Sequence, residues 1–284
     1  MAPEAATRAW PIGKTWSDGA HFADPTSAAL YARCTSDTSP AYTGRDPLVP
    51  PSFHVRLIHG MLFRIAADPE LGLDLLRLLH GEHDATFHRP IRVWDLVHVR
   101  GRLESVEEKA SGVVVTSRIF GFVEGALAVE ARTVYFVRAP ARADAAGPAA
   151  PRAPAAPEPD PGPPDFTERV ALAADLSHQY AIASKDDNPI HLDPEVARRA
   201  GHPDVILQGL CSLAITGAAA MRAVGGNDAR RVRRIAGRFM RPVNNGGELE
   251  VRGWRIAPGV HRLETRDGAG QVVIGNGRLE LSDR

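Results

Sequence analysis

At 284 residues the chain is long enough for one large domain or two ordinary ones, and 44% apolar residues are ample for a real core. Lysine plus arginine equals aspartate plus glutamate at 34 each, so the charge balance gives no reason to expect a nucleic-acid or membrane-surface partner. The two cysteines, Cys34 and Cys211, lie far apart, one of them in an expected buried helix, so they read as reduced thiols of a cytoplasmic protein and imply no disulfide framework.

The first residues carry an early acid, Glu4, and no apolar run, so no secretory signal is expected. Helix starts are expected at Asp24-Pro25 and at Ser177, before segments that end near Tyr31 and Tyr180. Long apolar helices are expected over 52–67 and 209–223. Strands are expected over 82–88, 95–107, 112–122 and 126–137, then over 231–239, 247–257, 260–266 and 271–281. A short helix at Asp193-Pro194-Glu195, stopped by Gly201, has no counterpart in the first half. The most apolar window, 205–224, includes Gln208 and Arg222 and reads as a core helix rather than a membrane span.

Residues 139–164 hold nine prolines and ten alanines, a composition that cannot build a core and favours an extended spacer. The flanks are related. An offset of 149 aligns Tyr180-Ala181 with Tyr31-Ala32, Asp186 with Asp37 and Pro189 with Pro40; an offset of 152 aligns Arg241-Pro242-Val243 with Arg89-Pro90-Ile91 and Val251-Arg252-Gly253 with Val99-Arg100-Gly101. The chain therefore divides into a first repeat (1–138), a linker (139–164) and a second repeat (165–284), each with one apolar helix before an antiparallel meander. Such a helix, apolar on nearly every face, calls for a curved sheet wrapped around it, and two copies would pair as an internal pseudo-dimer.

Chemistry concentrates in Ser184-Lys185-Asp186-Asp187-Asn188-Pro189-Ile190-His191, which puts a carboxylate, an amide and an imidazole on a proline bend. Gln208-Gly209-Leu210-Cys211 then opens the apolar helix, with its first amides pointing back at that bend. An acid/base pair facing a helix N-terminus is the minimum equipment for chemistry beside a carbonyl.

Three ordered blocks carry a resemblance: Tyr180 followed by Ser184-Lys185-Asp186-Asp187-Asn188-Pro189-Ile190-His191, then Ala200-Gly201 through Gln208-Gly209-Leu210-Cys211, then Arg238-Phe239-Met240-Arg241-Pro242-Val243. Together they resemble the MaoC-like, type 2 (R-specific) enoyl-CoA hydratase family, with an α+β double hotdog fold in one chain. The resemblance implies reversible syn addition of water to a trans-2-enoyl thioester, giving a (3R)-hydroxyacyl thioester. Asp186 and His191 would hold and deprotonate the water, Asn188 would orient them, and the Gly209 amide would serve the enolate oxygen. Arg238, Arg241, Lys185, Gln208 and Arg89 would meet the substrate or its CoA. No cofactor is implied, since CoA is part of the substrate. No metal is expected either, because six histidines between His54 and His98 match no ligand spacing.

The partner implied is an acyl-CoA thioester. An acyl-carrier-protein thioester, or a non-catalytic thioester-binding role, is left open, as are a monomer and a further pairing of pseudo-dimers. Ser39 and Tyr42 stand where the second repeat has Asn188 and His191, so the first repeat is expected to be non-catalytic. His80-Gly81-Glu82-His83 resembles the family's His-Gly-Glu-Gln strand. Three departures stand out: Lys185 for a glycine, tolerable only without a positive φ; Gln208 for a histidine; and Asn244-Asn245-Gly246 for x-Pro-Gly.

Overall fold

The structure, a computed structural model, describes residues 8–140 and 162–283, so most of the expected linker (139–164) lies outside the described residues. The first repeat runs β1 (Thr15–Phe22), α1 (Pro25–Cys34), α2 (His54–Ala66), β2 (Leu78–Phe87), β3 (Leu96–Lys109), β4 (Gly112–Val123) and β5 (Ala126–Arg138). The second runs β6 (Phe166–Ala171), α3 (Leu176–Ser184), α4 (Pro194–Arg199), β7 (Ile206–Leu207), α5 (Gly209–Gly225), β8 (Val232–Phe239), β9 (Val243–Asn244), β10 (Glu248–Ala257), β11 (Val260–Asp267) and β12 (Val272–Leu281). Ten strands form one antiparallel sheet in the order β1-β3-β4-β5-β2-β8-β12-β11-β10-β6. Read from the middle outward, the two halves of that order are equivalent, which is the double hotdog arrangement.

Local chemistry explains the helix starts. Asp24 accepts from the amides of Thr26 and Ser27, and Pro25 supplies the first helical φ of α1. The second start differs from expectation by one residue: α3 begins at Leu176, and the Asp175 side chain makes no cap bond. The Ser177 amide is instead capped from a distance, by Asn245 Oδ1 at 3.0 Å.

Each sheet wraps a helix, but the two helices differ. From Leu210 to Met221 every residue of α5 is buried, and its small residues let the sheet close in; a Cβ on Gly217 would stand 3.0 Å from Ile235 Cδ1. Helix α2 is amphipathic, contrary to the expectation of an apolar surface all round. Leu57, Ile58, Met61 and Ile65 are buried while Gly60, Phe63 and Arg64 face solvent. Burial of such a side chain stabilises by about 1.5–3 kcal/mol.

The repeats join along β2 and β8, with Glu82 opposite Arg238 and Thr86 opposite Arg234. Arg234 clamps Asp84 across this seam through Nε (2.8 Å) and Nη2 (2.6 Å). Beside α2, α1 packs on α3, and the hydroxyls of Tyr31 and Tyr180, 149 positions apart, meet at 3.1 Å in full burial. Each of these helices is finished by the other repeat: Arg56 of α2 donates to the carbonyls of Ile182 and Ala183, and Arg222 of α5 donates to that of Ser36. Among the described residues no helix is long and apolar enough to cross a membrane.

Candidate active site

The reactive turn begins where α3 stops. Lys185 takes a left-handed conformation (φ 67°, ψ 13°) and its amide donates to Ala181 O at 2.9 Å. The condition under which lysine would replace glycine without strain is therefore not met; a side chain at positive φ costs about 1 kcal/mol. Its counterpart Ser36 has φ 53°, so both repeats need this reversal. Ser184 Oγ locks the turn, donating to Tyr180 O at 2.7 Å and accepting from the Asp186 amide at 3.1 Å.

Beyond the reversal, Asp186 is half-buried, and its carboxylate makes no hydrogen bond among the described residues. Asn188 is exposed, and its Oδ1 accepts from the Ile190 amide at 3.3 Å, capping the 3₁₀ turn Pro189–His191. Its oxygen shapes the turn, and among the described residues no hydrogen bond joins it to Asp186 or His191.

His191 is held by a bond of Nδ1 to Ile206 O at 2.8 Å. A carbonyl only accepts, so Nδ1 carries the proton and the neutral ring presents an Nε2 lone pair. Burial lowers the His191 pKa; the Asp186 carboxylate and the Ile206 carbonyl oppose that shift, and His202 adds to it. His202 thus lies within electrostatic reach of the site.

Three residues past Ile206 the chain enters α5. Among the described residues the Gly209 amide has no acceptor, as the first amide of a helix should, and it offers the positive end of the helix dipole. A Cβ on Gly209 would come within 3.0 Å of the Phe239 ring, so glycine is required by the close approach of β8. Gln208, expected against substrate, is instead fully buried, with Nε2 donating to Ser177 O (3.0 Å) and Asp186 O (3.2 Å).

Of the expected arginines, Arg238 is partly buried near Glu82 (3.8 Å), and Arg241 and Lys185 are exposed. Arg89 does not belong with them. It lies three residues past Thr86, opposite the start of β8, roughly seven residues or ~23 Å along the strands from Arg238, and pairs with Asp95. It is the pseudo-symmetric mate of Arg241, and the symmetry that aligns them in sequence separates them in space.

The first repeat does reach the site, through residues that sequence reasoning assigned no role or only an undecided one. A bulge between His80 and Glu82 turns His80 and His83 to the same inner face. His80 meets Phe239 edge-on (ring centroids 5.0 Å) and Tyr135 at a tilt (5.2 Å), with Nε2 buried and unpartnered among the described residues. Burial holds its pKa down to about 4, opposed by the Glu82 backbone. Tyr135 feels the Asp186 carboxylate, which adds to burial in raising its pKa. Deeper in, His54 Nδ1 donates to Pro51 O, and its Nε2 accepts from His83 Nε2–H at 2.9 Å. This is a satisfied pair of neutral rings. Two surface depressions of about 520 and 390 Å³ share Arg231 and lie at the far end of α5, a helix length of ~25 Å from Gly209.

The comparisons follow the same division. A family pattern described as MaoC like domain matches residues 157–276, and one described as FAS1-like, dehydratase domain region matches residues 27–120. The chain is 33% identical over 213 residues to 3-hydroxyacyl-thioester dehydratase Y of Mycobacterium tuberculosis, covering 72% of each chain. This chain belongs to the MaoC-like dehydratase family. As a family member it is a hydro-lyase. It is also 26% identical over 226 residues to the peroxisomal multifunctional enzyme type 2 of Mus musculus, covering 76% of this chain but only 29% of that larger protein. In fold, the MaoC-like dehydratase of Phytophthora capsici superposes with a TM-score of 0.79 at 20% identity, covering 96% of each chain.

Proposed function

We propose that this MaoC-like protein catalyses the reversible hydration of trans-2-enoyl-CoA to (3R)-3-hydroxyacyl-CoA. The observation that carries the reading is the His191 tautomer: with Nδ1–H spent on Ile206 O, Nε2 is free to hold a water on the same turn as the unpartnered Asp186 carboxylate. Water adds its oxygen to C3, one proton passes to the Asp186/His191 pair, and a proton returns from that pair to C2 on the same face. Charge that gathers on the thioester oxygen meanwhile faces the Gly209 amide, and such a donor is typically worth ~2.7–4 kcal/mol. Burial keeps His191 neutral, the state that can accept the water proton. In this reading Arg238, Arg241 and Lys185 would meet the phosphates of the CoA. A carrier-protein thioester offers the same pantetheine arm and the same reacting atoms, and is the second reading.

The test is loss of the enoyl-thioester absorbance with trans-2-enoyl-CoAs of short and medium length, beside Asp186→Asn and His191→Ala. Turnover by the wild type, lost in both variants, is the expected result. Turnover that survives either variant overturns the assignment of the pair. Activity on carrier-protein thioesters alone favours the second reading, and none on either leaves a binding role.

A further inference from the structure

Gln208 occupies the N-cap position of α5 yet makes no cap bond to the amides of its own helix. Its side chain reaches backward, and Nε2 bridges two carbonyls, Ser177 O in the first turn of α3 and Asp186 O just past its end. Because both partners only accept, the amide orientation is determined: nitrogen toward them, and Oε1 buried with no partner among the described residues. A leucine of similar volume would carry no such unpaired oxygen, so what this side chain contributes lies in the two bonds of its nitrogen.

Ser177 is the anchor of the bridge. Its amide donates to Asn245 Oδ1 (3.0 Å), its hydroxyl accepts from Asn245 Nδ2 (3.0 Å) and stands 3.5 Å from His178 Nδ1, and its carbonyl accepts from Gln208. The two-residue ladder β7–β9 pairs Ile206 with Asn244 and Leu207 with Val243, so Gln208 and Asn245 leave it at opposite ends and are joined through Ser177. The same short strand supplies Ile206 O to His191. Residue 206 thus holds the imidazole, residue 208 the backbone of the carboxylate, and residue 209 opens the helix. Two of the three departures from the family motif, Gln208 and Asn245, meet on one serine. They act directly after Lys185, whose left-handed backbone is the strained joint of the turn.

We propose that Gln208 is a positioning residue, a clasp anchored on Ser177 and Asn245 that sets the span between Asp186 and the first amide of α5. The kinetic part of this inference rests on the hydratase reading; the clasp itself does not.

The test combines hydrogen exchange over residues 185–192 with steady-state kinetics on a trans-2-enoyl-CoA, for Gln208→Leu, Gln208→His and Asn245→Ala, each checked for a cooperative melt. In Gln208→Leu, exchange over 185–192 rises about tenfold, kcat falls about 10–100-fold and KM stays within about twofold, as expected for a misplaced reacting group. Gln208→His, which keeps a ring N–H for one carbonyl, recovers most of kcat. Asn245→Ala lowers kcat less and adds little on top of Gln208→Leu, since both act through Ser177. Should Gln208→Leu fail to fold, Asn245→Ala carries the same paired readout from a less buried position.

Unchanged exchange in Gln208→Leu overturns the clasp. A raised KM with kcat preserved overturns positioning in favour of substrate contact. If the wild type turns over no thioester while Gln208→Leu still loosens 185–192, the clasp stands and the hydratase reading falls.

Discussion

Asp37 and Asp186 occupy equivalent turns 149 residues apart, each after a left-handed residue (Ser36 φ 53°, Lys185 φ 67°) and each before a proline that opens a 3₁₀ turn. Their surroundings are opposite. Asp37 is 6% exposed and accepts the Tyr42 hydroxyl at 2.6 Å. Burial pushes its pKa up to about 6 against that hydrogen bond, the Ser39 amide and the charge of Arg222. Ser39 Oγ accepts from the Ala229 amide at 3.1 Å and Asn227 Nδ2 donates to Thr38 O, so the segment after α5 lies over this turn. At the second turn the residue in Tyr42's place is His191, whose Nδ1 bonds Ile206 O instead, and among the described residues the Asp186 carboxylate makes no hydrogen bond. One backbone motif can thus be sealed or left reactive, and the choice lies in whether the residue five positions after the aspartate reaches back to it.

The largest effect expected from this contrast is on turnover. Asp186→Asn and His191→Ala each lower hydration by about 10²–10⁴-fold, the usual range for a positioned acid or base. Asp37→Asn leaves kcat within about threefold in the same absorbance assay; a loss comparable to Asp186→Asn would mean that the first turn is not sealed.

Next in size is Gly209→Ala, whose Cβ must push the Phe239 ring away from the helix N-terminus. A fall in kcat of about 10–100-fold is expected from the displaced amide. The matching change in the first repeat, Gly60→Ala, falls in the exposed middle of α2 beside Asp18 and should not touch kcat.

A third test uses stability. In the folded state Asp37 holds its proton up to about pH 6, whereas the unfolded carboxyl ionises near 3.8. The folded form therefore binds more protons between those values, stability falls as pH rises through that window, and above it a buried charge is carried. Asp37→Asn, which can still accept from Tyr42, should raise stability by about 1–3 kcal/mol at pH 7 and by much less near pH 4. His54, His80 and His83 have pKa values lowered by burial and act oppositely, losing stability as pH falls below 6.5. The comparison is therefore between variant and wild type at each pH, by denaturant melts. A difference that does not shrink toward pH 4 would show that Asp37 is ionised in the fold throughout.

The smallest effect is backbone strain. Lys185→Gly should stabilise by about 0.5–1 kcal/mol by removing a side chain from positive φ, and Ser36→Gly should do the same. A higher urea midpoint for one and not the other would show which turn is held by its neighbours instead.

Much of this arrangement was legible in the chain itself. The strand expected over 95–107 is β3 at Leu96–Lys109, and that expected over 126–137 is β5 at Ala126–Arg138, because alternation and β-branching act on adjacent residues. Edge strands β1 and β6 escaped notice: half of each faces solvent, so neither shows an apolar run. The reactive turn stood out because its donors lie within eight residues. His80 did not, since only the bulge beside Glu82 swings it toward Phe239.

What the amino-acid order determined alone is whatever depends on neighbours along the chain: the repeat, the helix and strand segments, the family, and the Asp186-to-His191 turn. The tertiary structure decided everything that requires two distant segments to meet. Asn245 and Gln208 meet on Ser177, a 2.6 Å bond closes Asp37, and the internal symmetry separates Arg89 from its sequence mate Arg241. The reason is physical: periodicity reports which face a residue shows, while hydrogen bonds between segments tens of residues apart depend on register, and register exists only once the sheet has formed.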